Sequence, residues 1–173
     1  MIYSFNNSGF RDPETGVYNQ AYFMEVFHRE WFRHLRDQQT LVLLYVHPQL
    51  CENSAEPSVR ESYTQSIQQG LLRNTDMLAR LNSNTFAVGL FNTDDAGTKV
   101  VVERIREQLN SFSNSYMQQH GIGVDSKIVA CICQPQKSLK PEMLFMTVDD
   151  LLLHPEKHKK AEQHQDCLIE KIH

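Results

Sequence analysis

The stretch "RLNSNTFAVGL", residues 80–90, decides the fold. A polar knot, Asn82-Ser83-Asn84-Thr85, separates the apolar run ending at Leu81 from one that begins at Phe86. Two strand-forming runs around a short polar segment read as a β-hairpin. The strands are predicted over 76–81 and 85–91. The turn carries neither charge nor glycine, although tight turns favour glycine where φ must be positive.

Working outward, "DPETGVYNQ" (12–20) is turn chemistry and a helix follows it. Ala21, Met24, Phe27, Trp31 and Leu35 recur at helical spacing, and Phe23, Val26 and Phe32 widen that face. "TLVLLYVHP" (40–48) is an apolar strand stopped by Pro48. A second helix starts near Pro57 and keeps one face, through Val59, Tyr63, Ile67 and Leu71, to about Leu72. A third spans 92–112, with Thr93 or Asp94 as its cap. "SKIVACICQ" (126–134) is a strand, 140–158 holds a helix ended by Pro155, and "DCLIEKI" (166–172) is a last strand. The order α-β-α-β-β-α-β-α-β predicts an α/β sandwich of the α+β kind, a five-stranded sheet with helices on its faces.

The chain has 173 residues, enough for one domain with its own core. Residues 1–10 read as a lead-in and 11–172 as the domain. Apolar residues make up 40% and charged residues 22%, which fits a soluble globular protein. No run approaches the roughly 18–20 apolar residues of a membrane span, and the N-terminus lacks the pattern of a secretory signal. A cytoplasmic setting follows. The net charge of −4 argues against a broad nucleic-acid surface. Cys51, Cys131, Cys133 and Cys167 form no C-x-x-C pair and read as reduced thiols, with Cys131 and Cys133 on one side of a strand. His154, His158, His164 and His173 are irregularly spaced, so they read as a solvated face and no metal is assigned to them. There is no Walker A sequence, nucleophile elbow or usable Ser-His-Asp pattern.

These pieces resemble GGDEF domains, the family of diguanylate cyclases. Asp12, Thr15, Gly16, Tyr18 and Asn19 resemble its opening D-x-L-T-G-L-x-N-R. "DMLARLNSNTFAVGL" resembles its D-x-x-A-R-x-G-G-D-E-F hairpin, "VVERIREQL" its A-E-R-I-R helix, and "TVDDLLLHPEK" its late A-D-x-A-L-Y-x-A-K helix. The resemblance implies a nucleotidyl-cyclase-like fold with a central, mostly antiparallel sheet. In this register Asn82, Ser83, Asn84, Thr85 and Phe86 occupy G-G-D-E-F, and only the phenylalanine is kept.

The family's reaction is phosphoryl transfer with Mg²⁺, a hard cation that takes carboxylates and water. It draws one carboxylate from the first strand's end, L-D-I-D-x-F, and one from the hairpin. Tyr45 and His47 stand at the strand-end aspartates, and Asn84 and Thr85 at the hairpin carboxylates. Asn82 and Ser83 replace the glycines that let backbone approach a phosphate. "CENSAEPSVRES" is shorter than the family's guanine-binding loop, leaving Asn53 as the candidate guanine contact. Glu156 or Lys157, and Lys160, match the family's phosphate-contacting residues only loosely. The expectation is an inactive domain with no catalytic residues and no bound Mg²⁺.

What the resemblance retains is Arg73-x-x-Asp76, with Arg73 nine residues before Asn82, the register of the family's product-binding I-site. An arginine fork suits the O6/N7 edge of guanine, and a carboxylate accepts from its N1 and N2 donors. Arg104, with Arg106 as its alternative, is the candidate further arginine. Each residue also has a structural reading: Arg73 at a helix C-terminus, Asp76 in the turn before a strand. The leading expectation is a cyclic di-GMP receptor acting on a protein partner of unknown identity, or as a homodimer. The alternatives are an interaction or dimerisation module that binds no nucleotide, and a GTP-binding regulator of a neighbouring EAL phosphodiesterase domain.

Overall fold

The computed structural model describes residues 9–49, 57–164 and 167–173. Cys51, Asn53, most of the lead-in and the side chain of His164 lie outside the described residues. The elements are β1 (Tyr18–Asn19), α1 (Gln20–Asp37), β2 (Leu41–Pro48), α2 (Pro57–Gln69), β3 (Met77–Asn82), β4 (Thr85–Phe91), α3 (Asp95–His120), β5 (Ser126–Cys133), α4 (Pro141–Leu153), β6 (Glu162–His164) and β7 (Cys167–Ile172). The strands form one sheet in the order β1-β3-β4-β2-β5-β7-β6. β2 pairs antiparallel with β4 and β5, and β3 with β4, while β5–β7 and β1–β3 are parallel.

The sheet therefore has seven strands where the sequence predicts five. The two extra strands lie at its edges. β1 is two residues long and β6 is the polar Glu-Gln-His, so neither offers an alternating apolar pattern.

β2 shows why the sheet sits in the middle. Leu41 to Val46 are all buried. Val42, Leu44 and Val46 join one apolar cluster with Tyr63 and Ile67 of α2 and Val102 and Ile105 of α3. Leu41, Leu43 and Tyr45 join the other, with Phe23, Phe27 and Trp31 of α1 and Leu144 and Val148 of α4. The period of two along a strand delivers alternate side chains to the two layers. Cys131 and Cys133 share the second cluster and Cys167 belongs to the first. Burial raises both paired thiols, Cys133 to about 11.

Asn19 caps α1, its side chain accepting from Tyr22 N at 2.9 Å. The buried face is Phe23, Phe27, Trp31 and His34. Ala21 and Phe32, predicted on that face, are exposed. His34 replaces them. Its Nδ1 lies 2.7 Å from the Glu30 carbonyl, and its Nε2 accepts from Asn92 N at 3.0 Å. One nitrogen donates and the other accepts, as in a neutral imidazole.

α3 is capped by Asp94 and runs to His120, past the predicted end at residue 112. The helix continues through the polar 113–115 segment because Tyr116 is buried, and Gly121, at φ 78°, closes it. α2 stops at Gln69, before Leu72, and its last turn meets α3 closely. A Cβ on Gly70 would lie 2.8 Å from the Ile105 side chain.

After α4, His158 joins the helix to the last strand. Its Nε2 lies 2.6 Å from Asp150 Oδ2 and its Nδ1 2.9 Å from Glu170 Oε1. Carboxylates on both ring nitrogens favour the doubly protonated ring, and the Glu170 bond, with the Asp150 bond behind it, raises its pKa. Among the described residues, no helix is long and apolar enough to cross a membrane.

Candidate functional site

At the β3–β4 turn, Asn82 pairs with Thr85 across Ser83-Asn84, after a register shift between Arg80 and Asn82. Asn84 N donates to Asn82 Oδ1 at 3.0 Å, so a side chain closes the turn. Among the described residues, positive φ occurs at Gln38, Asn92, Gly16 and Gly121, and not in residues 82–85. Glycine is dispensable here because the backbone stays in the ordinary region.

Arg80 clamps this turn from below. Its Nε donates to Asn82 O at 3.1 Å and its Nη2 to Ser83 O at 3.2 Å. Its Nη1 donates to Asp12 Oδ2 at 3.3 Å and Glu14 Oε2 at 3.0 Å. Glu14 is shared with Arg60 of α2, at 2.9 Å. The Arg80 side chain is 8% exposed. Arg60 and Arg80 hold Glu14 below the usual carboxylate range. Burial pushes Asp12 up, but bonds from Thr15 and the Arg80 charge outweigh it and leave Asp12 lowered.

At the end of β2, Tyr45 is 3% exposed and hydrogen-bonds to Asp149 of α4. Burial and that carboxylate both raise the phenol. His47 pairs across the sheet with Lys127, and its Nδ1 lies 3.2 Å from Thr85 Oγ1. Burial and Lys127 lower its pKa, against a hydrogen bond that the protonated ring donates to the Asn84 backbone carbonyl. The groups gathered between the strand end and the turn are an imidazole, a hydroxyl, an amide and a lysine. Among the described residues, no three His, Cys, Asp or Glu side chains are grouped to hold a metal ion.

The Arg73 region is different. Arg73 N donates to Asp76 Oδ2 at 3.2 Å, and Asp76 N donates back to Arg73 O at 3.1 Å, closing the turn into β3. The Arg73 fork points toward the end of β4, donating to Thr93 Oγ1 at 2.8 Å and Phe91 O at 2.9 Å. Asp76 Oδ1 and Arg104 Nε are buried without hydrogen-bond partners. Burial raises Asp76, opposed by its Arg73 backbone bond and by the charges of Arg73 and Arg104. A cavity of about 280 Å³ opens here, lined by Arg11, Tyr18, Gln68, Arg73 and Asp76 among others. Arg11 stacks 4.2 Å over the Tyr18 ring. Arg106 turns away, to Glu103 at 3.0 Å.

The sequence profile described as "Diguanylate cyclase, GGDEF domain" matches residues 61–163, more than half of the chain. The chain belongs to the GGDEF family. No curated protein sequence matches it. Solved structures share the fold. The diguanylate cyclase SiaD of Pseudomonas aeruginosa, in complex with its activator SiaC, superposes with a TM-score of 0.77 at 18% identity, over 97% of this chain and 64% of that one. The chain thus spans less than two thirds of SiaD's length. The coiled-coil and GGDEF domain of Caulobacter crescentus DgcB, in complex with cyclic di-GMP, gives 0.78 at 11% identity, over 97% and 89%. The FimX GGDEF domain of P. aeruginosa gives 0.67 at 14%, over 94% and 99%.

Within this GGDEF domain the structure brings Asp76 together with Arg73 and Arg104, and adds Arg11, which the sequence reading missed. It also missed Glu14, Arg60 and Asp149. Glu14 stands at the leucine of the family's D-x-L-T-G, the one available signal. Among the described residues, the C-terminal histidines form no group of three metal-ligating side chains. His154 lies 3.6 Å from Glu156, and His158 is held by its two carboxylates.

Proposed function

We propose that this GGDEF domain makes no cyclic di-GMP and instead works as a cytoplasmic receptor for it, through Arg73, Asp76 and Arg104. The observation that carries the receptor reading is Asp76 Oδ1. It is a buried carboxylate oxygen without a partner, beside an open cavity lined by two arginines. Leaving such a group unpaired costs about 1–3 kcal/mol, which a guanine N1–H or N2–H would offset. Arg11 and Arg73 supply the positive charge a phosphodiester needs. Solved relatives include a GGDEF domain in complex with cyclic di-GMP, which makes the ligand a natural one to assay.

Catalytic silence rests on the groups at the strand end. Tyr45 is committed to Asp149, and His47 faces Lys127 and Thr85. A lysine across from the imidazole repels divalent cations, and neutral imidazole suits softer metals than Mg²⁺. The hairpin carbonyls are already bound by Arg80.

A second reading has its own support. The Arg73 fork is already used by Thr93 and Phe91 O, so ligand binding through it requires those bonds to open. A partner-binding or dimerisation module that takes no nucleotide fits that geometry. Calorimetric titration of cyclic di-GMP into the wild type and Arg73→Ala separates the readings. Heat that saturates in the wild type and is lost in the variant is the expected result; no heat in either rejects the receptor. Incubation with GTP and Mg²⁺ or Mn²⁺ tests silence directly, and steady formation of cyclic di-GMP would end that part of the proposal.

A further inference from the structure

A groove between α2 and α3 belongs to neither region described above. The two helices run antiparallel. They touch closely at Gly70 and Ile105, where there is no room even for a Cβ. Toward the other end, small side chains on α2 leave a space of about 400 Å³. Ser58, Ser62 and Ser66 line one wall at four-residue spacing. Phe112, Tyr116 and His120 line the other at the same spacing. The rings form a ladder: Phe112 and Tyr116 stack at 6.0 Å and 15°, and Tyr116 and His120 lie 4.3 Å apart at 31°.

Tyr116 is 7% exposed and lines the groove, and its hydroxyl has no hydrogen-bond partner among the described residues. The ring is packed away while the hydroxyl oxygen itself stays accessible, able to donate or accept. The Ser66 hydroxyl donates to Ser62 O at 3.1 Å, which leaves its oxygen free to accept. Among the described residues that line the space there is no Lys, Arg, Asp or Glu.

We propose that this groove is a second ligand site, for a small, uncharged, planar heteroaromatic molecule. The ring wall supplies apolar and stacking contact, and the serine wall and Tyr116 supply hydrogen bonds to polar ring edges. The absence of fixed charge among the described lining residues separates its chemistry from that of the arginine-lined cavity at Asp76, whose proposed ligand is anionic. The volume lies in the roughly 300–1,000 Å³ range of small-molecule sites, which suits one or two fused rings.

The test uses adenosine as an uncharged planar probe and inositol as a hydroxyl-rich, non-planar control, followed by amide NMR on the whole chain. Adenosine shifts Ser62, Ser66, Tyr116 and His120 saturably, and inositol does not. Ser62→Phe and, from the facing helix, Ser115→Phe fill the groove from exposed positions and weaken binding by about tenfold or more. Two substitutions on different helices guard against one of them perturbing the fold, which the rest of the spectrum reports. Arg73→Ala leaves the adenosine shifts unchanged. Absence of saturable shifts at these residues overturns the proposal, as does unaltered affinity in both filled variants or equal binding of inositol.

Discussion

At the β3–β4 turn all three guanidinium nitrogens of Arg80 are engaged, two on backbone carbonyls and one on Asp12 and Glu14. On the far side of the same hairpin, Asp76 keeps one carboxylate oxygen without a partner, and Arg104 keeps Nε unpaired. Both regions are built from arginines and acids. They differ at the acids: Asp12 and Glu14 are paired within the chain, although Arg60 Nε beside Glu14 is itself buried without a hydrogen-bond partner, whereas Asp76 is left with one oxygen unpaired. A carboxylate satisfied from within belongs to a structural joint. One left with a buried, unpaired oxygen carries a cost that a ligand can offset.

The strongest way to break this contrast is Arg80→Ala. It removes two ion pairs and both turn carbonyl bonds, and leaves Asp12 and Glu14 half-buried. A loss of about 3 kcal/mol is expected, between the values for buried and exposed pairs, and urea unfolding reads it. The matching change at the other end, Arg73→Ala, costs about 1 kcal/mol from its bonds to Thr93 and Phe91 O, while cyclic di-GMP affinity falls by about tenfold or more. If the two variants lose equal stability and neither affects ligand binding, the distinction fails.

Acid titration sharpens it. Asp12 and Glu14 have folded pKa values below their unfolded ones, so their contribution is present above the ordinary carboxylate range and is lost as pH falls through the folded values. Asp76 has the opposite sign. Its folded pKa is raised, so protonation through that window strengthens folding. Asp76→Asn holds or raises stability at neutral pH and removes only this second component. Stability midpoints of wild type and variant, followed from pH 7 downward, should therefore converge as the pH falls.

The smallest effect lies on the alkaline side, away from both regions. The raised pKa of His158 makes its contribution complete below the ordinary histidine value, near 6.5, and lost as pH rises through the folded value. The charges around it are Asp150 and Asp149 on α4, Lys157, Lys159 and His154 in the following turn, and Glu170 on β7, with Lys127 and the Cys131 thiol on β5. His158→Gln should flatten the alkaline decline in unfolding midpoint. If the decline persists unchanged, His158 is not its source.

Much of this fold can be read along the chain because it rests on local periodicity. β2 is a continuous apolar run, and the α2 face through Val59, Tyr63 and Ile67 has a helical period. Asn19 and Asp94 cap helices by contacts three residues away. Arg73 and Asp76 are also close in sequence, so their spacing carried them. Arg80 and Glu14 lie 66 residues apart, and Arg60 and Glu14 lie 46 apart. No pattern within one element reveals such a pair. The same is true of Tyr45 with Asp149, and of Arg11 at the Asp76 cavity. His34 was missed for a different reason: a polar residue on a helical face does not announce that its ring will be buried against the Asn92 amide.

The edges of the sheet carry a last consequence. One is the two-residue β1 and the other the three-residue β6. Long edge strands offer ready templates on which further chains add and grow into fibres. Strands this brief present little continuous backbone for such recruitment, so the protein is expected to stay dispersed when concentrated.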